Sequence, residues 1–78
     1  MTTLEKYENA FIETFGIEKE QLADLKYQSI QQWDSVGHMS LIAALEEAFD
    51  IMMDTDDIID FSSFEKGKEL LRKYNVEL

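Results

Sequence analysis

The chain has 78 residues, contains no cysteine or proline, and carries a net charge of −10 from 17 acidic and 7 basic side chains. A chain of this length predicts one domain over residues 1–78, whose core leaves little room for the enclosed pocket of an enzyme. The absence of cysteine excludes disulfides and thiolate zinc sites. The acidic surface argues against binding to nucleic acid or to anionic membranes and favours basic protein surfaces.

No targeting or membrane-spanning segment is predicted. Residues 1–6 lack an apolar run behind a basic cluster, and the longest apolar run, residues 41–45, is far shorter than a bilayer crossing requires. We therefore expect a cytoplasmic protein that does not insert into membranes, with a monomer as the default state.

Apolar residues recur at helical spacing along the chain, and no segment alternates long enough to indicate a strand. This pattern predicts an all-α fold, a four-helix bundle of three main helices and one short helix with a long first loop. The first helix is predicted over residues 3–15, because Thr2 and Glu5 form a capping-box pattern at its start. Gly16 suits the left-handed residue that commonly ends a helix.

Residues 17–33 form a connection that is too long to be structureless in a compact domain, so a short helical turn is predicted near residues 18–22. Its apolar residues are expected to pin it across the bundle: Ile17, Leu22, Leu25, Tyr27 and Ile30. Trp33 closes the connection. Packing is favoured for its ring over contact with a bound group, since large aromatic side chains are mostly buried.

The second helix is predicted to begin at Asp34 or Ser35 and to end near Phe49, with the Asp34 carboxylate as its N-cap. Apolar residues that recur three and four positions apart predict which face of this helix is buried. That stripe consists of Val36, Met39, Ile42, Leu45 and Phe49.

A short third helix is predicted over residues 55–60, capped by Asp54 or Thr55. The apolar side chains of this segment are expected to point inward: Ile58, Ile59 and Phe61. The acids here resemble a calcium loop in composition only. An EF-hand that began at Asp54 would need a glycine at its sixth position, which is isoleucine. No specific metal site is therefore predicted, and weak binding of divalent cations that relieves the repulsion between these acids is favoured over an EF-hand.

The fourth helix is predicted over residues 63–74, with Ser62 and Glu65 as a second capping box. Gly67 lies inside this helix, where a glycine costs about 1 kcal/mol relative to alanine. Its presence predicts that another element packs closely against the fourth helix at this point.

Residues 33–39 carry the chemistry, because they place Ser35 in the first turn of the second helix beside Asp34. The free N–H groups and positive potential of a helix N-terminus suit a phosphate ester. The serine hydroxyl is expected to point outward at an exposed corner that another protein can reach.

At these residues the sequence resembles the acyl carrier protein family. The family signature is an Asp-Ser pair, an aliphatic residue, and an amphipathic helix that ends in acids and an aromatic residue. The positions that match it are Asp34, Ser35, Val36, Leu45, Glu46, Glu47 and Phe49. The resemblance extends to helix order, loop length, the acidic third helix and domain size, so it spans nearly the whole chain and implies an acyl-carrier-like bundle.

The resemblance implies that a phosphopantetheinyl transferase attaches a 4′-phosphopantetheine arm from coenzyme A to Ser35, with Asp34 as N-cap and motif partner. The thiol of the arm would hold an acyl or aminoacyl group as a thioester. An acyl- or aminoacyl-activating ligase would load it, and an acyltransferase or synthase with a basic docking patch would receive it. The residues implied in partner recognition are Val36, Met39, Glu46, Glu47, Asp54, Asp56 and Asp57.

Two positions depart from the housekeeping fatty-acid carriers, which have acids where this chain has Gly37 and Ser40. The run of residues 33–39 looks more like the discrete carriers of specialised bacterial pathways, such as surface-polysaccharide or secondary-metabolite assembly. The resemblance therefore predicts a role in a specialised biosynthetic pathway. It leaves open whether the cargo is acyl, aminoacyl or peptidyl.

An enzyme would have to be built from Ser35 and His38, which are three residues apart on one helix and can be neighbours. A serine nucleophile also needs an orienting group and an oxyanion hole, and neither is evident. The sequence thus favours a non-catalytic protein in which His38 is exposed or contacts a partner. The alternative to a carrier is an unmodified acidic helical protein-interaction module.

Overall fold

The computed structural model describes residues 2–78 and shows an all-α fold, as the apolar spacing predicts. Within that range the chain forms no β-strand, and none of its helices has the length and apolar character that a bilayer crossing requires. The elements are α1 (Thr3–Phe15), a 3₁₀ turn (Lys19–Gln21), α2 (Ser35–Phe49), α3 (Thr55–Asp60) and α4 (Phe64–Arg72).

Helix α1 begins and ends where its capping residues predict. The Thr2 hydroxyl accepts a hydrogen bond from the Glu5 N–H at 3.1 Å, and the Thr2 N–H donates to the Glu5 carboxylate at 2.9 Å. Gly16 has a φ of 64°, and its N–H bonds to the Ile12 carbonyl at 2.8 Å. Both ends are therefore closed by bonds within four residues of the terminus.

Helix α2 also starts as predicted, but its buried face differs. The Asp34 carboxylate accepts from the Gly37 N–H at 2.8 Å, which confirms Asp34 as the N-cap. Val36 and Met39, predicted to be core residues, are 75% and 54% exposed. The prediction is wrong for these two residues, whereas buried Ile42 and Leu45 confirm it for the middle of the stripe. The core side of α2 also includes Leu41 and half-buried His38, which the stripe did not contain.

A cluster of aromatic rings fills the centre of the molecule. Trp33 is fully buried, stacks on Phe15 at a centroid distance of 5.5 Å, and meets the edge of Phe11 at 5.6 Å. This confirms packing as the role of Trp33. The Tyr7 hydroxyl donates to the Phe64 carbonyl at 2.6 Å, and burial raises the pKa of this phenol. Burying one such ring contributes about 1.5–3 kcal/mol.

Helix α4 starts one residue later than predicted, and its predicted capping box is wrong. The Ser63 hydroxyl, not that of Ser62, accepts from the Lys66 N–H at 2.9 Å. The reason is tertiary, since the Ser62 carbonyl accepts from the Tyr27 N–H at 2.9 Å and the Phe64 N–H bonds to the Leu25 carbonyl at 3.0 Å. These bonds to the long connection place Ser63 at the helix start.

The predicted close packing at Gly67 is confirmed. A Cβ atom built at Gly67 would overlap the hydroxyl oxygen of Tyr7 and the ring of Phe61. Both neighbours are fully buried, so neither ring can move aside without displacing other core atoms. Gly67 thus lets α4 lie directly against side chains from α1 and from the segment after α3.

We expect Gly67→Ala to lower the free energy of unfolding by about 1–2 kcal/mol, because overpacking outweighs the better helix propensity of alanine. Urea denaturation of Gly67→Ala measures the effect. Ser40→Ala, a substitution at an exposed site on α2, is the control and should unfold like the wild type. An unchanged or higher unfolding midpoint for Gly67→Ala would contradict the packing argument.

Candidate functional site

Ser35 is exposed at the first residue of α2, where the long connection ends. Its Oγ lies 3.2 Å from the Tyr27 hydroxyl, a hydrogen bond in which either oxygen can donate. The neighbouring Asp34 carboxylate accepts a hydrogen bond from the Gly37 N–H and so stabilises the start of the helix. The Ser35 hydroxyl remains on the surface. The structure thus places the predicted serine at an accessible helix N-terminus.

An apolar groove runs beside Ser35, between α2 and α3. It has a volume of about 360 Å³ and is lined by Tyr27, Ser35, His38, Met39, Ile58, Ile59, Phe61 and Ser62. Ile59 is 72% exposed on its rim, so the prediction that Ile59 points inward is wrong. Because Met39 and Ile59 both line the groove rather than the core, the site combines a hydroxyl with an apolar surface.

His38 is half-buried rather than exposed, and that prediction is corrected. Its Nδ1 accepts a hydrogen bond from the Trp33 indole N–H at 2.9 Å, and its Nε2 lies 2.7 Å from the Ile58 carbonyl. An indole N–H can only donate, so Nδ1 must be the acceptor and Nε2 must carry the proton. Both ring nitrogens therefore bond away from Ser35, and the two side chains do not form a nucleophile–base pair.

Gly37 has a structural reason to lack a side chain. A Cβ at this position would overlap the carbonyl oxygen of Gln32 and would lie 3.3 Å from the Phe15 ring. Any larger residue, including an acid, would push the end of the long connection away from α2. The glycine at this position therefore follows from the close approach of residue 32.

The acids predicted to meet partners fall into two groups. Glu47, Asp54 and Asp56 are exposed. Glu46 is half-buried, and its carboxylate accepts from the Met53 N–H at 2.9 Å, which ties the loop after α2 back to the helix.

Asp57 is buried, so its predicted role in partner recognition is corrected. Its carboxylate accepts from Lys73 Nζ at 2.6 Å and from the Tyr74 hydroxyl at 2.5 Å. The Lys73 hydrogen bond, followed by that of Tyr74, lowers the pKa of Asp57, and Asp57 in turn raises the pKa of Lys73. The Tyr74 oxygen also accepts from the Asp54 N–H at 2.9 Å, so this network joins α3 to the turn after α4.

Sequence reasoning missed Tyr27 as a member of the site. The sequence indicates it only as one of several residues that pin the connection. Its hydroxyl reaches Ser35 because the Tyr27 N–H bonds to the Ser62 carbonyl and its ring meets His38 edge-on at a centroid distance of 5.5 Å. No local pattern in the sequence signals contacts of this range.

Among residues 2–78, no group of three or more histidine, aspartate or glutamate side chains is arranged to hold a metal ion. Comparisons with protein-family models, with curated proteins and with solved structures found no match.

The Asp57 network predicts a pH-dependent stability. Because the folded-state pKa of Asp57 is below its ordinary value of 3.8, its contribution is present above that pH and is lost as the pH falls through the lowered pKa. We expect Asp57→Asn to be less stable than the wild type at neutral pH, with the difference shrinking under acid conditions.

Thermal melting between about pH 7 and pH 2 tests this expectation. Asp56→Asn, an exposed neighbour on the same helix, is the matched control and should track the wild type. A stability difference between Asp57→Asn and the wild type that stays constant over the whole range would contradict the role given to the ionised carboxylate.

Proposed function

We propose that this chain is a carrier protein that holds an acyl or aminoacyl group as a thioester on a 4′-phosphopantetheine arm attached to Ser35. The observation that carries the proposal is the position of the Ser35 hydroxyl, exposed at the first turn of α2 beside its N-cap and at the edge of an apolar groove. The resemblance of residues 34–49 to acyl carrier proteins gives the chemical identity of the arm.

The attachment step needs the hydroxyl and a transferase. Ser35 Oγ forms a bond to the phosphorus that carries the pantetheine of coenzyme A, with Mg²⁺ bound by the transferase. The pyrophosphate bond breaks, adenosine 3′,5′-bisphosphate leaves, and the serine proton passes to a base of that enzyme. The phosphodiester then sits at the N-terminus of α2, where the helix dipole stabilises an anion by about 0.3–1 kcal/mol.

The groove gives the arm and its cargo an apolar surface to lie on. Its walls come from α2 on one side and from Ile58 and Ile59 on the other, and the Ser35 hydroxyl lies among its lining atoms. The hydroxyl of Tyr27, 3.2 Å from Ser35 Oγ, is within reach of a phosphate attached there. In this role the protein binds and presents the thioester, and the partner enzymes carry out the reactions.

Partners are proposed to dock on the exposed face of α2 and on α3. Val36 and Glu47 are eleven residues apart, which is close to three helical turns, so they share one face of α2. Val36 is 75% exposed next to Ser35, and Glu47, Asp54 and Asp56 supply negative charge. Such a surface is complementary to an apolar patch ringed by Lys and Arg on a ligase, acyltransferase or synthase.

The proposed setting is a specialised biosynthetic pathway in the cytoplasm. Gly37 and Ser40 make the front of α2 less acidic than in the housekeeping fatty-acid carriers, and the contact of Gly37 with Gln32 rules out a simple exchange for an acid. The partners of this chain are therefore proposed to recognise exposed Val36 together with the acids at the end of α2 and on α3, rather than acids in the first turn of α2.

Incubation with coenzyme A, Mg²⁺ and a broad-specificity phosphopantetheinyl transferase tests the attachment. We expect the intact mass to rise by one phosphopantetheine in the wild type and in Ser40→Ala, a matched serine removal on the same exposed helix, but not in Ser35→Ala. No gain, with another carrier modified in the same tube, would count against the arm and favour an unmodified acidic interaction module.

Charge reversal tests the docking face. We expect Glu47→Lys to raise the KM of the transferase for the chain about 2- to 5-fold at low salt and to flatten its salt dependence, since exposed charge pairs are weak and screened. Glu46 is unsuitable for this charge reversal because its carboxylate accepts the Met53 N–H hydrogen bond, so a substitution there would also disturb the loop after α2.

Glu20→Lys is the control for Glu47→Lys, because it makes the same change in net charge at an exposed site on the 3₁₀ turn. An equal effect of both substitutions would show that net charge, rather than the end of α2, governs recognition.

A further inference from the structure

His38 is bonded both to the end of the long connection, at Trp33, and to α3, at Ile58, which lies twenty residues later in the chain. It lies on α2, receives the indole N–H of Trp33 at Nδ1 over 2.9 Å, and donates from Nε2 to the Ile58 carbonyl of α3 over 2.7 Å. The imidazole must be neutral to accept at Nδ1, since an imidazolium has two donors and no acceptor. The ring thus uses both of its nitrogens in a fixed orientation.

Trp33, the hydrogen-bond partner of His38 on the core side, is held rigidly. Trp33 has no exposed surface and is packed between Phe11 and Phe15, at centroid distances of 5.6 and 5.5 Å. The His38 ring lies nearly parallel to the indole, at 15° and 6.2 Å, and meets the edge of Phe61 at 6.2 Å. These contacts set where Nε2 points, and it points at α3.

Helix α3, which carries the Ile58 carbonyl, depends on contacts with the rest of the molecule. Helix α3 has six residues, and a helix this short does not persist without tertiary contacts. The Asp57 network holds α3 to the turn after α4. The hydrogen bond from His38 to the Ile58 carbonyl holds α3 to α2. The side chain of Ile58 lines the groove beside Ser35.

We propose that His38 is a positioning residue that ties α3 to α2 and to buried Trp33, and so sets the width of the groove beside Ser35. When the Nε2–Ile58 bond breaks, α3 moves away from α2 while Trp33 keeps its place in the core. This tether, the His38 Nε2–Ile58 hydrogen bond, exists in the unmodified chain, so its test needs no phosphopantetheine arm. A negative result for the tether would leave the carrier proposal untouched, and a failure to attach the arm would leave the tether in place.

The bonding pattern can be tested in the wild-type protein by NMR at about pH 8, above the range where histidine ordinarily titrates. With ¹⁵N-labelled histidine and tryptophan, we expect His38 to be the Nε2–H tautomer, with a scalar coupling between its Nδ1 and the Trp33 indole nitrogen. An Nδ1–H tautomer, or an absent coupling with both signals resolved, would overturn the proposal.

Two substitutions separate the bonds. In His38→Asn the side-chain oxygen takes the place of Nδ1 but nothing reaches Ile58, whereas in His38→Gln the terminal amide nitrogen takes the place of Nε2. We expect amide hydrogen exchange at Ile58 and Phe61 to be roughly 2- to 10-fold faster in His38→Asn, the effect of losing one hydrogen bond, and close to the wild type in His38→Gln.

Amides of α1 serve as the reference for global unfolding. Unchanged exchange at Ile58 and Phe61 in His38→Asn, or an equal acceleration in α1 and α3, would contradict a local tether. If either variant failed to fold, the wild-type tautomer and coupling would still decide the question.

Discussion

The packing of the Trp33 indole is the constraint on which the rest of the structure depends. The ring is fully buried against Phe11 and Phe15 of α1, and its N–H is satisfied by His38 of α2. It is also the last residue before the N-cap Asp34. Fixing the indole therefore fixes where the long connection ends and where α2 begins, and with that the position of the Ser35 hydroxyl.

The same packing places the Ser35 hydroxyl at the edge of the groove between α2 and α3. Tyr27 reaches Ser35 from the connection, and Ile58 is bonded to His38 from α3, so three separate segments meet within one turn of the helix start. The buried side-chain nitrogens and oxygens of residues 2–78, including those in this region, all have hydrogen-bond partners. The proposed carrier role requires that a group attached to Ser35 be presented without rearrangement of the core, and the exposed position of Ser35 at the edge of the groove is consistent with this requirement.

The start of α1, its end and the start of α2 could be predicted because their signals act within four residues, as at Thr2, Gly16 and Asp34. The errors came from contacts that no local pattern encodes. Asp57 meets Lys73 sixteen residues later, and His38 meets Ile58 twenty residues later. Half-buried His38 lies on the core side of α2 through its bonds to Trp33 and Ile58, whereas Val36 and Met39 of the predicted stripe face solvent.

The most direct test of the proposed attachment at Ser35 is the covalent state of the chain purified from the cells that make it. Intact and tandem mass spectrometry of this material locate any modification to one residue. We expect a population that carries phosphopantetheine on Ser35, released as a pantetheine fragment on collision, with cargo on part of it. A chain that is unmodified in all of its molecules, while other carriers from the same cells bear the arm, would contradict the attachment.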